Sequence, residues 1–302
     1  MEQIIVDIGS GKTKVYELKN DGVVKPLFDK RIDFKRAYNS ETGLSAVSKQ
    51  TLFQTINEIK VIAGGKPINI YATSVFRIMP AQMLDNFKAE FQKETGIVFN
   101  VLSQQEENRL MTLSVKNLNI AEKYLAACIG NGSTEMAILH NGTEKESFTI
   151  EHARADLMKE FQLSNDVCTI PFDELCSYVD KIFTFPKTSV KYLVVLGGNG
   201  LSYSKKSDFF MEKNTVFNND AIPVCSNFDN FVTETKRLLL NDSVSLAKEE
   251  LEMFRSHCVI ACCIMKAVAA ENIFMTDLNL VDGIAKDLAN KKITMRDNYA
   301  KI

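Results

Sequence analysis

Two short turns in the chain combine glycines with hydroxyl or amide side chains, which suits them to holding an anion. The first occupies residues 9–11 and the second residues 130–132. Glycine allows the backbone to turn sharply and to approach a ligand closely. Consecutive exposed N–H groups then form a concave site for negatively charged oxygens. The chemistry that these turns could support is the binding of phosphate groups.

The two turns lie in the same sequence context, which indicates an internal repeat. Each follows an apolar segment that predicts a strand, residues 3–8 in one case and 124–129 in the other. Each precedes a returning strand and a second turn that contains Asn and ends in Gly. A repeat this long indicates duplicated domains rather than solenoid units. Two ordinary hairpin turns are the alternative interpretation, but the matched pair favours phosphate binding.

Two familiar phosphate motifs do not fit the sequence. Residues 11–13 resemble the end of a Walker A loop, but Val6 stands where that loop requires its first glycine. The residues that follow also predict a strand instead of the required helix. The dinucleotide fingerprint requires a third glycine, and Lys14, Glu135 and Tyr203 occupy those positions. Neither a P-loop nor a Rossmann cofactor site is predicted.

The composition is that of a globular protein. The chain has 302 residues, 45% of them apolar and 25% charged, and a net charge of −2. This charge excludes a generally basic nucleic-acid-binding protein. No apolar segment approaches membrane-spanning length, and no signal peptide is expected before the first strand. Seven scattered cysteines are typical of reduced thiols. We therefore expect a cytoplasmic protein without nucleic-acid or membrane partners.

The elements that position the turns alternate between strand and helix, which predicts a mixed α/β fold. Apolar residues recur with a helical period over residues 48–63, for example, and a short strand follows at residues 68–73. The pattern restarts just before the second turn. We therefore predict one domain at residues 1–122 and another at residues 123–285, with a C-terminal helix at about 286–302 packing on the first.

Five segments, in order, carry a resemblance to a known family. They are residues 6–10 (VDIGS), 72–77 (ATSVFR), 103–110 (SQQEENRL), 129–135 (IGNGSTE) and 197–200 (GGNG). The chain resembles, over nearly its whole length, the exopolyphosphatase and guanosine-pentaphosphate phosphohydrolase family of the actin-like ATPase superfamily. The resemblance implies two actin-like, ribonuclease H-like domains with a cleft between them. It also implies metal-assisted hydrolysis, in that cleft, of a terminal phosphoanhydride of inorganic polyphosphate or guanosine pentaphosphate.

The same resemblance implies roles for individual residues. Glu107 would be the catalytic carboxylate that positions the attacking water and accepts its proton. Arg77 would bind phosphate through its guanidinium fork, and Asp7 and Glu135 would hold Mg²⁺ or another divalent cation. The other phosphate-binding candidates are small residues of three loops: Ser10, Gly11, Gly130, Asn131, Gly132, Ser133, Gly198 and Gly200. From the residues alone, a solvated acidic residue at a helix start is the preferred interpretation of Glu107.

The sequence departs from the family pattern at the second turn. The family's turn begins Asp-Ile-Gly-Gly-Gly, and here Cys128 and Asn131 replace its Asp and its middle Gly. A thiol is a poor magnesium ligand, which puts metal binding in question. In the segment after the second hairpin, Ala153 replaces a Gly and Asp156 a basic residue. These departures support an alternative, a catalytically degenerate phosphate-chain or nucleotide sensor. An ATP-using relative is a third possibility, because the superfamily places part of a nucleotide at the loop that residues 197–200 resemble. Paired family members suggest a homodimer.

Overall fold

The chain folds into two compact units, each built on its own sheet. The computed structural model describes residues 2–163, 167–207, 209–217, 220–240 and 245–299. One unit combines Met1–Leu110 with Leu280–Ile302, and the other is Met111–Asn279. The chain passes from the first unit to the second after Leu110, earlier than the predicted boundary at residues 122 and 123. It returns to the first unit at Leu280, whereas the prediction placed this return at about residue 286.

The elements follow in the alternating order expected of a mixed α/β protein. The strands are β1 (Gln3–Ile8), β2 (Lys12–Leu18), β3 (Val24–Arg31), β4 (Tyr38–Asn39), β5 (Gly43–Leu44), β6 (Ile68–Ala72), β7 (Phe99–Val101), β8 (Tyr124–Ile129), β9 (Thr134–His140), β10 (Thr143–Ile150), β11 (Tyr192–Leu196), β12 (Glu212–Lys213), β13 (Val224–Asn227) and β14 (Asn272–Met275). The helices are α1 (Phe34–Ala37), α2 (Ala46–Ala63), α3 (Ala81–Thr95), α4 (Gln104–Val115), α5 (Arg154–Glu160), α6 (Phe172–Ile182), α7 (Gly198–Lys206), α8 (Phe228–Leu240), α9 (Lys248–Ala267) and α10 (Leu280–Tyr299).

The first unit contains a five-stranded sheet in the order β3-β2-β1-β6-β7. Strands β1, β2 and β3 form an antiparallel meander, and β1, β6 and β7 run parallel. Because both faces of the sheet are covered, β1 is apolar almost throughout: Ile4 and Val6 pack into one core, and Ile5 into another. The parallel strands end at one edge, where Thr73 N–H donates to Ile8 O at 3.0 Å.

The second unit repeats this topology and extends it. Its seven-stranded sheet has the order β10-β9-β8-β11-β14-β13-β12, so the first five strands follow the order of the first sheet. Strands β10, β9 and β8 are antiparallel, and β8, β11 and β14 are parallel. The duplication indicated by the two glycine turns is thus present in both sheets, and each turn joins the first two strands of its unit.

The apolar residues of the helices and of the remaining strands form the hydrophobic cores of the two units. In the first unit, four aromatic rings form one cluster: Phe76, Phe87, Phe91 and Phe99. In the second unit, α9 is buried over most of its circumference and therefore carries apolar residues on nearly all sides. Its three cysteines are buried and free. Of the other four free cysteines, Cys168 and Cys225 are buried, whereas Cys128 and Cys176 are only partly buried. Among the described residues, no helix is long and apolar enough to cross a membrane.

Candidate functional site

The turn between β1 and β2 is held by three backbone hydrogen bonds. Gly9 N–H donates to Lys12 O at 2.9 Å and closes the turn. The carbonyl groups of Ser10 and Gly11 accept from the chain that follows β3, at 3.0 and 3.2 Å. The Ser10 hydroxyl is buried and has no hydrogen-bond partner within the described part of the chain. The turn therefore presents an unused donor at the carboxyl edge of the sheet, where ligands of open α/β sheets bind.

The turn between β8 and β9 reproduces this arrangement. Gly130 N–H donates to Ser133 O at 3.0 Å, and Asn131 O accepts from Ala155 N–H at 3.0 Å. Neither Gly9 nor Gly130 has a positive φ, so the glycines are not needed for a left-handed backbone. At Gly130 the requirement is space, because an added Cβ would lie 2.6 Å from Ser133 O. The structure thus brings Gly130, Asn131 and Ser133 into one closed turn, as the sequence predicted.

Arg77 and Glu107 meet in the first unit. Arg77 follows the short 3-10 turn after β6, and Glu107 lies in the first turn of α4, which follows β7. An Nη1–Oε2 ion pair joins them, with the two side chains only 15% and 12% exposed. Since β6 and β7 are parallel neighbours, the segments that follow them start at the same edge and bring the two side chains together. Their roles in catalysis and phosphate binding stay predictions.

Burial dominates the electrostatics of Glu107. Removal from water raises the pKa of the Glu107 carboxyl; Asp7 raises it further, and Arg77 opposes both. Asp7 stands opposite Lys14 in the β1–β2 pairing, and burial likewise raises the pKa of Asp7 while Lys14 opposes the increase. Asp7, Arg77 and Glu107 therefore form one electrostatic cluster within the first unit.

The equivalent strand position in the second unit carries different chemistry. Cys128 stands opposite Glu135 in the β8–β9 pairing, as Asp7 stands opposite Lys14. Glu135 is buried, but its partner is a thiol, which is a poor ligand for a hard cation. No group of three or more His, Cys, Asp or Glu side chains suited to a metal ion occurs among the described residues. These donors do not fit Mg²⁺ within the second unit, so a divalent cation at Asp7 and Glu135 stays an untested prediction.

Sequence reasoning missed Arg154, which lies directly beside the second turn. Its Nε–H donates to Gly130 O at 2.8 Å, and the residue is only 7% exposed. Burial lowers the pKa of the guanidinium. The family's basic residue was sought at Asp156, two positions later, but that carboxylate instead accepts from Ala153 N–H at 2.8 Å at the start of α5. The signal that could have found Arg154 is that it is the first arginine or lysine after β10.

His257 of α9 is a second residue that the sequence did not single out. It is 3% exposed, and neither ring nitrogen has a hydrogen-bond partner among the described residues. Burial, aided by the charge of Arg154, lowers the pKa of His257 to about 3, so the ring is neutral at pH 7. An added Cβ at Gly200 would lie 2.9 Å from His257 Nε2. Gly200 therefore makes room for this ring, and phosphate binding by Gly198 and Gly200 stays a prediction.

Comparison with known proteins places these features in a family context. The model of the Ppx/GppA phosphatase family matches residues 19–292. The crystal structure of an exopolyphosphatase from Cytophaga hutchinsonii has a TM-score of 0.76 at 14% identity, covering 96% of this chain and 98% of that one. A Ppx/GppA family member from Aquifex aeolicus gives a TM-score of 0.70 at 14% identity, with coverage of 96% and 98%. No curated protein sequence matches significantly. These similarities confirm the predicted α/β fold class and the resemblance.

Proposed function

The chain belongs to the Ppx/GppA phosphatase family, and we propose on this basis that it hydrolyses the terminal phosphoanhydride of a phosphate chain. A phosphatase activity in general follows from the family. Inorganic polyphosphate and guanosine pentaphosphate are the two substrates we propose. The expected cleft location, the divalent cation and a homodimer stay predictions.

The Arg77–Glu107 ion pair is the observation that supports this proposal most strongly. Hydrolysis requires a base that accepts a proton from the attacking water, and it requires cationic groups that bind phosphate oxygens. Burial makes the Glu107 carboxylate a stronger base than an ordinary surface glutamate. Arg77 uses Nη1 for its bonds to Glu107 and Leu102 O, and the other N–H groups of its guanidinium have no partner in the described part of the chain. They are available to a phosphate group.

The hydroxyl groups of the first turn add further support. Ser10 Oγ and Thr13 Oγ1 are buried and lack hydrogen-bond partners within the described residues. A buried hydroxyl without a partner is costly, and most buried polar groups in native proteins are paired. A phosphate oxygen bound at residues 9–11 would satisfy such donors. This is the chemistry that the glycine turn predicts.

Cys128 favours a second candidate function. Without a carboxylate at this position, the chain could bind a phosphate chain or a nucleotide without hydrolysing it, as a sensor. Glu107 favours hydrolysis over binding alone, because the raised pKa of its partly buried carboxylate suits a proton acceptor. We therefore rank hydrolysis first.

Release of inorganic phosphate from polyphosphate and from guanosine pentaphosphate, each with and without MgCl₂, tests the proposal. Release from either substrate supports hydrolysis and identifies the substrate. If the protein binds both compounds without releasing phosphate, the sensor function is supported instead. Formation of ADP from ATP as the only reaction would favour an ATP-using relative.

A further inference from the structure

Arg154 presents an unusual combination of burial and unused hydrogen-bond donors. A guanidinium carries five N–H hydrogens in a fixed fork. Here Nε–H donates to Gly130 O at 2.8 Å, and the Nη groups have no hydrogen-bond partner among the residues that the structure describes. A largely buried guanidinium with unused donors is well suited to bind an anionic ligand. The arrangement favours an anion next to the second glycine turn.

The groups around Arg154 do not supply this anion. Those that act on it electrostatically are the phenol of Tyr203, the thiol of Cys128 and the imidazole of His257. None of these three groups is a carboxylate, the side chain that ordinarily pairs with a buried guanidinium. The position equivalent to Asp7, where a carboxylate could have paired with the guanidinium, is occupied by Cys128. A bound anion would give the guanidinium such a partner.

His257 is a second buried polar side chain with unused hydrogen-bonding groups, and it interacts electrostatically with Arg154. Its ring belongs to α9, and both of its nitrogens lack hydrogen-bond partners in the described part of the chain. A neutral imidazole offers one N–H donor and one acceptor. Arg154 and His257, from two different helices, therefore provide unused hydrogen-bonding groups within electrostatic reach of each other.

We propose that Arg154 binds a phosphate group of the substrate at the 130–132 turn and supplies the positive charge there in place of a carboxylate-bound metal ion. This rests on the proposed function, because it names a further binding residue for the same class of ligand. Nε anchors the guanidinium to the turn, and the Nη groups bind phosphate oxygens alongside the backbone N–H groups. A divalent cation at the same place would face a guanidinium of like charge and a thiol.

Calorimetric titration with tripolyphosphate, in buffer without divalent cations, tests this inference. The Arg154→Gln variant is compared with the wild type and with Arg237→Gln, which removes the same charge from a partly buried pair with Glu234 in the same unit. Loss of a charge-assisted hydrogen-bonding group predicts binding about tenfold to a hundredfold weaker in Arg154→Gln. We expect Arg237→Gln to bind as the wild type does.

Two results would overturn the inference: equal affinity of Arg154→Gln and wild type, or wild-type binding that requires added Mg²⁺. If Arg154→Gln does not fold, ¹⁵N-arginine side-chain spectra of the wild type, assigned with Arg154→Lys, decide the question. The Nη signals of Arg154 should shift on addition of tripolyphosphate, and unchanged signals would contradict the proposal. Phosphate release by the wild type is measured separately, so that a failure of hydrolysis and a failure of Arg154 binding are distinguishable.

Discussion

The guanidinium of Arg77 forms a partly buried ion pair with the carboxylate of Glu107, although the two residues are 30 positions apart in the sequence. In this pair Arg77, the proposed phosphate-binding residue, contacts Glu107, the proposed base, at the carboxyl edge of one sheet. It also sets the charge on Glu107, since Arg77 stabilises the ionised carboxylate while burial and Asp7 destabilise it. The ionisation of Glu107 should therefore respond in opposite directions to changes at its two neighbours.

Replacing Arg77 should move the pH dependence of hydrolysis upward. The base form of Glu107 is the ionised carboxylate, so activity rises with pH through its pKa. Arg77→Gln removes the group that lowers this pKa, and the ascending limb of the kcat/KM profile should shift to higher pH. A profile recorded at saturating and subsaturating substrate checks this. An ascending limb at the wild-type position would show that Glu107 is not the group that titrates.

Replacing Asp7 should move the pKa of Glu107 in the opposite direction. In the protein without divalent cations Asp7 raises the pKa of Glu107, so Asp7→Asn, which keeps the shape of the side chain, should lower it. Titration of the Glu107 carboxyl carbon by ¹³C NMR in buffer without divalent cations checks this, with Arg77→Gln measured alongside. If both variants shift the pKa in one direction, the proposed cluster is wrong.

The two equivalent glycines should differ in their tolerance of alanine. At Gly130 an added Cβ would lie 2.6 Å from the backbone oxygen of Ser133, whereas at Gly9 the nearest atom, Lys12 O, is 3.5 Å away. Gly130→Ala should therefore cost about 1–3 kcal/mol of unfolding free energy and weaken tripolyphosphate binding. Gly9→Ala should change stability little. Urea unfolding of both variants checks this. Equal free energies of unfolding for Gly130→Ala and Gly9→Ala would contradict the tight closure of the second turn.

Acid should destabilise the protein through His257. Its pKa is about 3 in the folded protein and about 6.5 when unfolded, so below pH 6.5 the unfolded chain binds a proton that the folded chain excludes. The contribution of the neutral His257 ring to the free energy of unfolding is fully present above pH 6.5, and it is lost as the pH falls toward 3. The loss between pH 6.5 and 5 is about 2 kcal/mol.

Urea unfolding at these two pH values, for the wild type and for His257→Leu, isolates this contribution. The leucine variant should lose correspondingly less stability on acidification. His140→Gln, at an exposed position at the end of β9, serves as the control and should behave as the wild type does. Parallel losses in the wild type and His257→Leu would show that His257 is not responsible.

The sequence was sufficient to predict the duplicated turns because strand, turn and strand are local patterns that glycine and apolar residues mark clearly. The sequence was less informative where packing between distant segments decides which side chains come together and where one unit ends. Arg154 and His257 lie on different helices, and the proximity of the two is visible only in the folded unit. The division of the chain at Leu110 falls within the continuous helix α4, where Met111 and Val115 pack into the second core, and no turn signal marks that change.

Phosphate release by Glu107→Gln, compared with Glu106→Gln, tests the central claim most directly. Both residues lie in the first turn of α4, but Glu106 pairs with Arg109 on the exposed side. The loss of a general base predicts a rate roughly 10²–10⁴-fold lower in Glu107→Gln, with tripolyphosphate binding retained, and a rate near that of the wild type in Glu106→Gln. Undiminished phosphate release by Glu107→Gln would contradict the account.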